Sequence, residues 1–184
     1  MRIITGKLKG RPIPVPKSGL LRPTSDRAKE GIFSVISART YFDNTRVLDL
    51  FAGSGNLGFE AISRGAESCL FVDREHQHTR HIEKLAKQFQ VESQVQTITM
   101  DVETFLERSS HNSYDFIFAD PPYDYHQMKE MAEIILTRKW LSDEGWFILE
   151  HDKHHDFSDH PACFSCKSYG RTTASIFSAD SAES

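Results

Sequence analysis

Short apolar runs alternate with helical segments along most of this chain. The runs that predict strands between those helices are residues 47–51, 68–73, 95–100, 114–120 and 145–150. Two further runs, residues 163–168 and 173–177, predict a terminal hairpin. Strands that alternate with helices form a mainly parallel sheet covered on both faces. The pattern therefore predicts an α/β domain whose ligands bind beyond the carboxyl ends of the strands.

The amino-terminal part of the chain lacks this alternation, and glycine and proline interrupt it repeatedly. We expect extended pieces there, followed by a helix that Thr24 or Ser25 caps and that runs toward Ile36. A chain of 184 residues is long enough for one domain with a small extension. The predicted organisation is a basic extension with a hairpin and a helix, a main domain and a polar flexible tail, at residues 1–40, 41–178 and 179–184.

Charge is unevenly distributed along the chain, whose formal net charge is −4. Residues 1–46 contain ten Lys and Arg against three Asp and Glu, whereas residues 47–184 contain 12 against 23. A basic arm on an acidic body favours contact between the arm and a polyanion, with a merely solvated basic surface as the alternative. The basic side chains expected to contact phosphates are Lys7, Lys9, Arg11, Arg22 and Arg27.

No run of about 18 apolar residues predicts a membrane span, and the first residues lack the apolar core of a signal peptide. We therefore expect a cytoplasmic monomer with no membrane partner. The three cysteines, an odd and small number, are expected to be reduced thiols.

Two groups of residues suggest metal ligands, and we interpret both as structural. Cys163 and Cys166 form a single CxxC without a second ligand pair at suitable spacing. A polar cluster after the fifth strand is interpreted as a solvated loop away from the site, and it contains His151, Asp152, His154, His155 and Asp156. We expect no metal site.

A glycine turn, Gly53-Ser54-Gly55, follows the first predicted strand and precedes a helix. Glycine permits a sharp turn and a close approach of backbone N–H groups to a ligand. Asp73 ends the second strand about 20 residues later, where a carboxylate can reach a ribose diol. Asp101 ends the third strand. Together these features predict a nucleotide-type ligand at this end of the sheet.

Two ligands fit that arrangement, a dinucleotide with a pyrophosphate and S-adenosylmethionine. Asp49 lies just before the glycines, where an anion repels phosphates but attracts a sulfonium and an ammonium. This favours S-adenosylmethionine, and a dinucleotide or a turn without a ligand remain the alternatives. The residues expected to contact the cofactor are Asp49, Phe51, Gly53, Gly55, Asp73, Arg74, Asp101, Val102 and Asp120.

The segment Asp120-Pro121-Pro122-Tyr123 follows the fourth predicted strand. Two consecutive prolines restrict the backbone and remove two N–H donors, which leaves carbonyl and carboxylate acceptors. Acceptors aligned on both N–H bonds of an exocyclic amine direct its lone pair at a methyl donor, while Tyr123 stacks on the base. We expect these four residues to be catalytic, and a proline strand terminator with an exposed tyrosine is the structural alternative.

Several segments resemble the RsmD family of bacterial 16S ribosomal RNA guanine-N2 methyltransferases. The most specific are residues 2–11, residues 21–27 and the Asp-Pro-Pro-Tyr segment, and residues 49–58, 63–66 and 169–170 also fit. The resemblance extends from Arg2 to about Phe177. The family often has Glu where this chain has Asp73, which is one methylene shorter.

The resemblance implies a Rossmann-like class I S-adenosylmethionine-dependent methyltransferase with a seven-stranded, mostly parallel sheet and an N-terminal β-hairpin that grips ribosomal RNA. It implies methylation of a guanine N2 in 16S ribosomal RNA or the assembling small subunit, with the base flipped into the pocket. It also implies that Asp49, Gly53 and Gly55 hold the methionine part, Asp73 the ribose, and Asp101 with Val102 the adenine. Adenine N6, a protein glutamine amide and a non-enzymatic RNA-binding assembly role are the alternatives.

Overall fold

The computed structural model describes residues 1–15, 26–108 and 113–179. The strands of the described part are β1 Arg46–Leu50, β2 Ser68–Asp73, β3 Val95–Thr99, β4 Tyr114–Ala119, β5 Leu141–His151, β6 Cys163–Tyr169 and β7 Thr172–Ser178. They form a seven-stranded sheet in the order β3-β2-β1-β4-β5-β7-β6. The first five strands are parallel, and β7 is antiparallel to both of its neighbours.

The helices cover both faces of the sheet. They are α1 Asp26–Ser37, α2 Asn56–Ser63, α3 His76–Phe89, α4 Val102–Glu107 and α5 Met128–Thr137, with a 3₁₀ turn at Glu92–Gln94. Apolar side chains of α1, α2 and α3 pack on one face in one core cluster. Those of α4 and α5 pack on the other face in a second cluster. This is the two-sided α/β arrangement that the alternating pattern predicts.

The connections leave β1 and β4 in opposite directions along the sheet, because β1 leads outward to β2 and β4 leads outward to β5. These two strands are hydrogen-bonded neighbours, with Leu48 opposite Ile117 and Leu50 opposite Ala119. Ligand sites of open α/β sheets lie at such a switch point, beyond the carboxyl ends of the strands. The fold therefore places a crevice where Asp49 and Asp120 lie.

Residues 1–15 form the N-terminal arm, which folds back on itself through a turn. Arg2 and Pro12 form an antiparallel bridge, and the Ile3 N–H donates to the Arg11 carbonyl at 3.0 Å. The predicted hairpin is thus present as two short extended pieces instead of a regular ladder. The expected caps, Thr24 and Ser25, lie outside the described residues, as does Arg22.

The N-terminal arm is attached to α2 by polar contacts. The fully buried Glu60 carboxylate accepts the N–H groups of Ile4 and Thr5 at 2.8 and 3.1 Å. Ser63 Oγ accepts the Leu8 N–H at 2.9 Å. A Cβ on Gly6 would lie 1.8 Å from the Ser63 carbonyl oxygen, so the arm approaches α2 as closely as only glycine permits.

A buried lysine joins the same contact from α1. Lys29 has no exposed side-chain surface and lies 3.3 Å from the Glu60 carboxylate. Its Nζ also donates to the Arg2 carbonyl at 2.6 Å and to Asn56 Oδ1 at 2.7 Å. Burial lowers the pKa of Lys29, and the Glu60 carboxylate opposes that shift. The ion pair therefore connects the arm and α1 with the beginning and the middle of α2.

The predicted helices and strands are confirmed, with differences of at most four residues at their ends. The largest difference is at β5, which begins at Leu141 although the apolar run predicts residue 145. A register irregularity between Tyr114 and Phe116 extends the pairing of β5 past Gly145 toward its polar beginning. Within the described residues, none of the helices has the length and apolar character that a membrane crossing requires.

Replacing Glu60 with Gln should lower the free energy of unfolding by about 3–5 kcal/mol, because Lys29 would remain buried without its counter-ion. Urea denaturation followed by circular dichroism measures the change. Glu67→Gln makes the same chemical change at an exposed position and should have little effect. A stability of the Glu60 variant within about 0.5 kcal/mol of the original protein would contradict this account.

Candidate active site

A pocket of about 390 Å³ lies at the carboxyl end of the sheet, at the switch point between β1 and β4. Its walls come from the segments that follow β1, β2, β3 and β4, from the end of β5, and from Met1 and Val15 of the N-terminal arm. Every predicted cofactor-binding or catalytic residue lines this pocket except Gly55. The structure thus brings together two motifs that are more than 60 residues apart in the sequence.

The glycine turn shapes the wall of the pocket that follows β1. Gly53 and Gly55 have positive φ angles of 53° and 78°, and Phe51 also has a positive φ of 56°. Gly55 precedes the first residue of α2, and its N–H donates to the Ala52 carbonyl at 2.7 Å. A Cβ there would lie 2.9 Å from the Phe59 ring. Gly55 therefore shapes the turn from behind the wall, although we expected it to contact the ligand.

Asp49 is buried inside this turn and keeps 2% of its surface exposed. Its carboxylate accepts the Gly58 N–H at 2.9 Å. Burial raises the pKa of Asp49 well above its usual value, and the nearby charges of Asp120 and Asp73 raise it further. A cation placed among these carboxylates would stabilise their ionised forms. The electrostatics of the pocket thus favour a positively charged ligand.

Asp73 organises the backbone on the β2 side of the pocket. One carboxylate oxygen accepts the Gly53 N–H at 2.8 Å, and the other accepts the Glu75 N–H at 2.8 Å. The second oxygen also lies 3.0 Å from His78 Nδ1. A carboxylate oxygen has about two acceptor positions, so the oxygen that accepts from Gly53 keeps capacity for a ligand hydroxyl.

The remaining predicted cofactor residues lie farther toward the rim. Asp101 is exposed and immediately precedes α4, whereas Val102 is buried at the pocket wall. The Arg74 guanidinium is 67% exposed and lies 3.4 Å from the Glu75 carboxylate. An ion pair this exposed contributes little to stability. Arg74 lines the pocket next to Asp73.

The Asp-Pro-Pro-Tyr segment forms the β4 side of the pocket. Pro121 is buried, and the Pro122 carbonyl accepts the Tyr125 N–H at 2.9 Å, which closes a turn. Tyr123 stands at the mouth with 49% of its surface exposed. The Tyr125 ring packs edge-on against Phe51 with centroids 5.0 Å apart, so this segment contacts the glycine-turn side directly. The segment therefore lines one pocket with the Asp120 carboxylate and with the aromatic side chains of Tyr123 and Tyr125.

Polar residues at the end of β5 also line the pocket, and sequence reasoning missed their role. Glu150 and His151 are buried at its β5 side. The interpretation of His151 as part of a loop away from the site is wrong, because β5 continues through this residue. Polar residues at the ends of β1 and β4 are expected to face the ligand. The same rule applied to β5 predicts that Glu150 lines the pocket.

His151 has a structural role. Its ring nitrogens lie 2.7 Å from the Asp152 carbonyl and 2.8 Å from Ser175 Oγ. Burial lowers its pKa, so the ring is neutral near pH 7. Across residues 1–15, 26–108 and 113–179, no group of three or more His, Cys, Asp or Glu side chains has the arrangement of a metal site.

The predicted phosphate-binding residues that the structure describes do not line the pocket, and they are Lys7, Lys9, Arg11 and Arg27. The tip of the N-terminal arm contacts Ser63 at the end of α2, and Lys7 donates to Gln94 before β3. The Arg11 guanidinium lies 5.9 Å from the centre of the Phe89 ring, whereas Lys9 is exposed at the tip. The helix α2 extends about 9 Å from Leu57, which lines the pocket, to Ser63, which the tip of the arm contacts.

The strand order and the pocket at the switch point define the Rossmann-like fold of class I S-adenosylmethionine-dependent methyltransferases. The hypothetical protein TTHA0928 of Thermus thermophilus superposes with a TM-score of 0.82 at 25% identity, over 96% of this chain and 98% of the other. An RNA methyltransferase of Salinibacter ruber in complex with S-adenosyl-L-homocysteine shares the fold with a TM-score of 0.65 at 15% identity, over 85% and 93% of the two chains.

The family is shown by sequence. The family model "Conserved hypothetical protein 95" matches residues 1–178. Bacillus subtilis YlbH, provisionally named an rRNA methyltransferase, is 39% identical over 155 residues, which are 83% of each chain. Ribosomal RNA small subunit methyltransferase D of Buchnera aphidicola is 34% identical over 82% of this chain and 78% of its own. The chain belongs to this family, which confirms the resemblance to RsmD.

Proposed function

We propose that the protein transfers a methyl group from S-adenosylmethionine to the exocyclic N2 amine of a guanine in small-subunit ribosomal RNA. The observation that carries this proposal is a single pocket in which the acidic residues after β1 and β2 meet the Asp-Pro-Pro-Tyr segment after β4. The names of the relatives support ribosomal RNA as the substrate. We place the reaction in the cytoplasm and expect the protein to act as a monomer.

The pocket fits S-adenosylmethionine through its charge. We assign the sulfonium and ammonium end to Asp49, because a buried carboxylate with a raised pKa is stabilised by a cation. Asp73 is assigned to the ribose, and Asp101 with Val102 to the adenine. When bound, S-adenosylmethionine supplies a methyl group on a sulfonium whose sulfur keeps the electron pair of the broken carbon–sulfur bond.

The β4 side of the pocket fits the target amine. We assign the Asp120 carboxylate and the Pro121 carbonyl to the two N–H groups of the guanine N2, and the Tyr123 ring to stacking on the base. Holding both N–H bonds directs the nitrogen lone pair toward the methyl donor, which lowers the barrier mainly by orientation. The amine becomes acidic as the new bond to carbon forms, and Asp120 accepts the proton that it loses.

The N-terminal arm is assigned to RNA outside the pocket. Its exposed basic residues lie near the far end of α2, about 9 Å along the helix from the pocket, and we therefore assign the base in the pocket and the phosphates at the arm to different nucleotides. Arg27, exposed in the first turn of α1, is assigned to the same RNA. This arrangement lets an acidic protein approach a polyanion through one basic surface.

Replacing Asp120 with Ala should lower methylation of ribosomal RNA by about 10²- to 10⁴-fold, because the amine loses its aligned acceptor and proton acceptor. Transfer of a labelled methyl group and mass mapping of methylated guanines measure the reaction, and calorimetry should show that the cofactor still binds. Asp124→Ala, an exposed carboxylate of the same loop, is the matched control. Near-normal turnover of the Asp120 variant would disprove the placement of the chemistry.

Binding of S-adenosylmethionine should weaken as the pH falls through the raised pKa of Asp49. A proton and the cationic ligand compete for the same carboxylate, so affinity drops by up to about tenfold for each pH unit below that pKa and is constant above it. Calorimetry across the pH range measures this dependence. An asparagine side chain cannot titrate, so the Asp49→Asn variant should bind more weakly with a flatter pH profile. Identical profiles for both proteins would refute the assignment.

Replacing Lys7, Lys9 and Arg11 together with Ala should weaken RNA binding and reduce its salt dependence. Each lost phosphate contact lowers the slope of log K against log salt concentration by about 0.7–0.9. Fluorescence anisotropy at several salt concentrations measures the slope. The control replaces three other exposed lysines, Lys139, Lys153 and Lys167. A slope equal to that of the original protein would remove the arm from the RNA interface.

A further inference from the structure

Glu150 lies beside the Asp-Pro-Pro-Tyr segment in the sheet. The parallel strands β4 and β5 pair Phe118 with Ile148 and Ala119 with Leu149, so the next residues, Asp120 and Glu150, are neighbours at the ends of the two strands. Neighbouring strands lie about 4.8 Å apart. Two carboxylate-bearing residues thus stand next to each other across one strand spacing.

Both side chains lie on the same side of the sheet. Phe118 and Ile148 belong to the core cluster that α1, α2 and α3 cover, and alternation along a strand returns Asp120 and Glu150 to that side. Both residues line the pocket, and Glu150 keeps only 1% of its surface exposed. A carboxylate at this depth is desolvated, so a hydrogen bond to it discriminates strongly between ligands.

The strand order separates Glu150 from the cofactor side. The proposed cofactor residues follow β1, β2 and β3, Asp120 follows β4, and Glu150 ends β5 on the far side of Asp120. A group that contacts Glu150 is therefore on the side of the substrate base. His151, the next residue, is directed to the other face, where its ring packs against Phe157.

We propose that Glu150 selects guanine by accepting the N1–H of the target base, next to the N2 amine that Asp120 holds. This assignment rests on the proposed function. Guanine presents N1–H and N2–H₂ as adjacent donors on the edge that flipped-base pockets read. A carboxylate has about four acceptor positions, so Glu150 can accept the N1–H while it keeps other contacts.

The same residue rejects adenine, the main alternative among nucleobase amines. Adenine has an unprotonated N1 beside its N6 amine, and its lone pair would face the Glu150 carboxylate without a hydrogen between them. A site that accepts a hydrogen bond from its substrate discriminates strongly against an analogue without that donor, because the buried acceptor, here the Glu150 carboxylate, is left unpaired. We therefore assign the selection of the base to Glu150 on β5, whereas Asp120, which follows the neighbouring strand β4, holds the amine.

The test compares RNA substrates that carry guanosine or 2-aminopurine at the target position. 2-Aminopurine keeps the N2 amine and lacks the N1–H. The unmodified protein should prefer guanosine in kcat/KM by at least about tenfold. In the Glu150→Gln variant, kcat/KM for guanosine should fall by about tenfold, because a neutral amide oxygen accepts the N1–H more weakly than a carboxylate, whereas 2-aminopurine should change little, because the glutamine amide can donate to N1. Glu144→Gln makes the same change at the exposed beginning of β5 and should leave both values unchanged.

Three outcomes separate the alternatives. An equal loss for both bases in the Glu150 variant would overturn the assignment, because a purely structural role lowers both alike. Equal use of both bases by the unmodified protein would overturn it without any substitution, so a variant that does not fold leaves the test intact. No methylation of either base by the unmodified protein, despite cofactor binding, would overturn the proposed function and this assignment with it.

Discussion

The buried Glu60 carboxylate determines how the N-terminal arm sits on the domain. Its partners come from three segments: backbone N–H groups of the arm, Lys29 of α1 and Arg64 at the end of α2. Removing any of these partners would leave the buried Glu60 charge uncompensated, which is strongly destabilising. The need to compensate this charge therefore holds the three segments together. Lys29 extends the connection to Asn56 at the pocket wall. The position of the arm and the shape of the pocket are consequently coupled.

Three carboxylates lie close together in the pocket, and holding them there is electrostatically unfavourable. Asp49 is desolvated and lies close to the charges of Asp73 and Asp120, and the raised pKa of Asp49 expresses this cost. The Gly58 N–H offsets part of this cost, because it donates a hydrogen bond to the Asp49 carboxylate at 2.9 Å. The rest would be relieved by a cationic ligand. A pyrophosphate would add to the same repulsion, so the geometry supports the ligand that the position of Asp49 predicts from sequence.

Much of this fold could be predicted from local patterns, because apolar periodicity and strand ends are properties of short segments. The positions of Asp49, Asp73 and Asp120 at the pocket follow from that logic. The mutual contact of Glu60 and Lys29 and their contacts with the arm could not be predicted, since each joins residues more than 25 positions apart and a charged residue on a helix usually indicates a solvent-exposed face. His151 was assigned wrongly because the loop composition after it concealed the true end of β5.

The order of the strands divides the proposed reaction between two halves of the sheet. The acidic residues that suit a cation lie at the ends of β1 and β2 and just after β3, whereas the groups proposed to contact the base lie just after β4 and at the end of β5. The crevice between β1 and β4 is therefore where the methyl carbon and the amine nitrogen must meet. The rings of Phe51 and Tyr125 are in contact across this crevice. Changes at β5 can thus alter which base is accepted without disturbing the cofactor side, because no proposed cofactor residue lies on that strand.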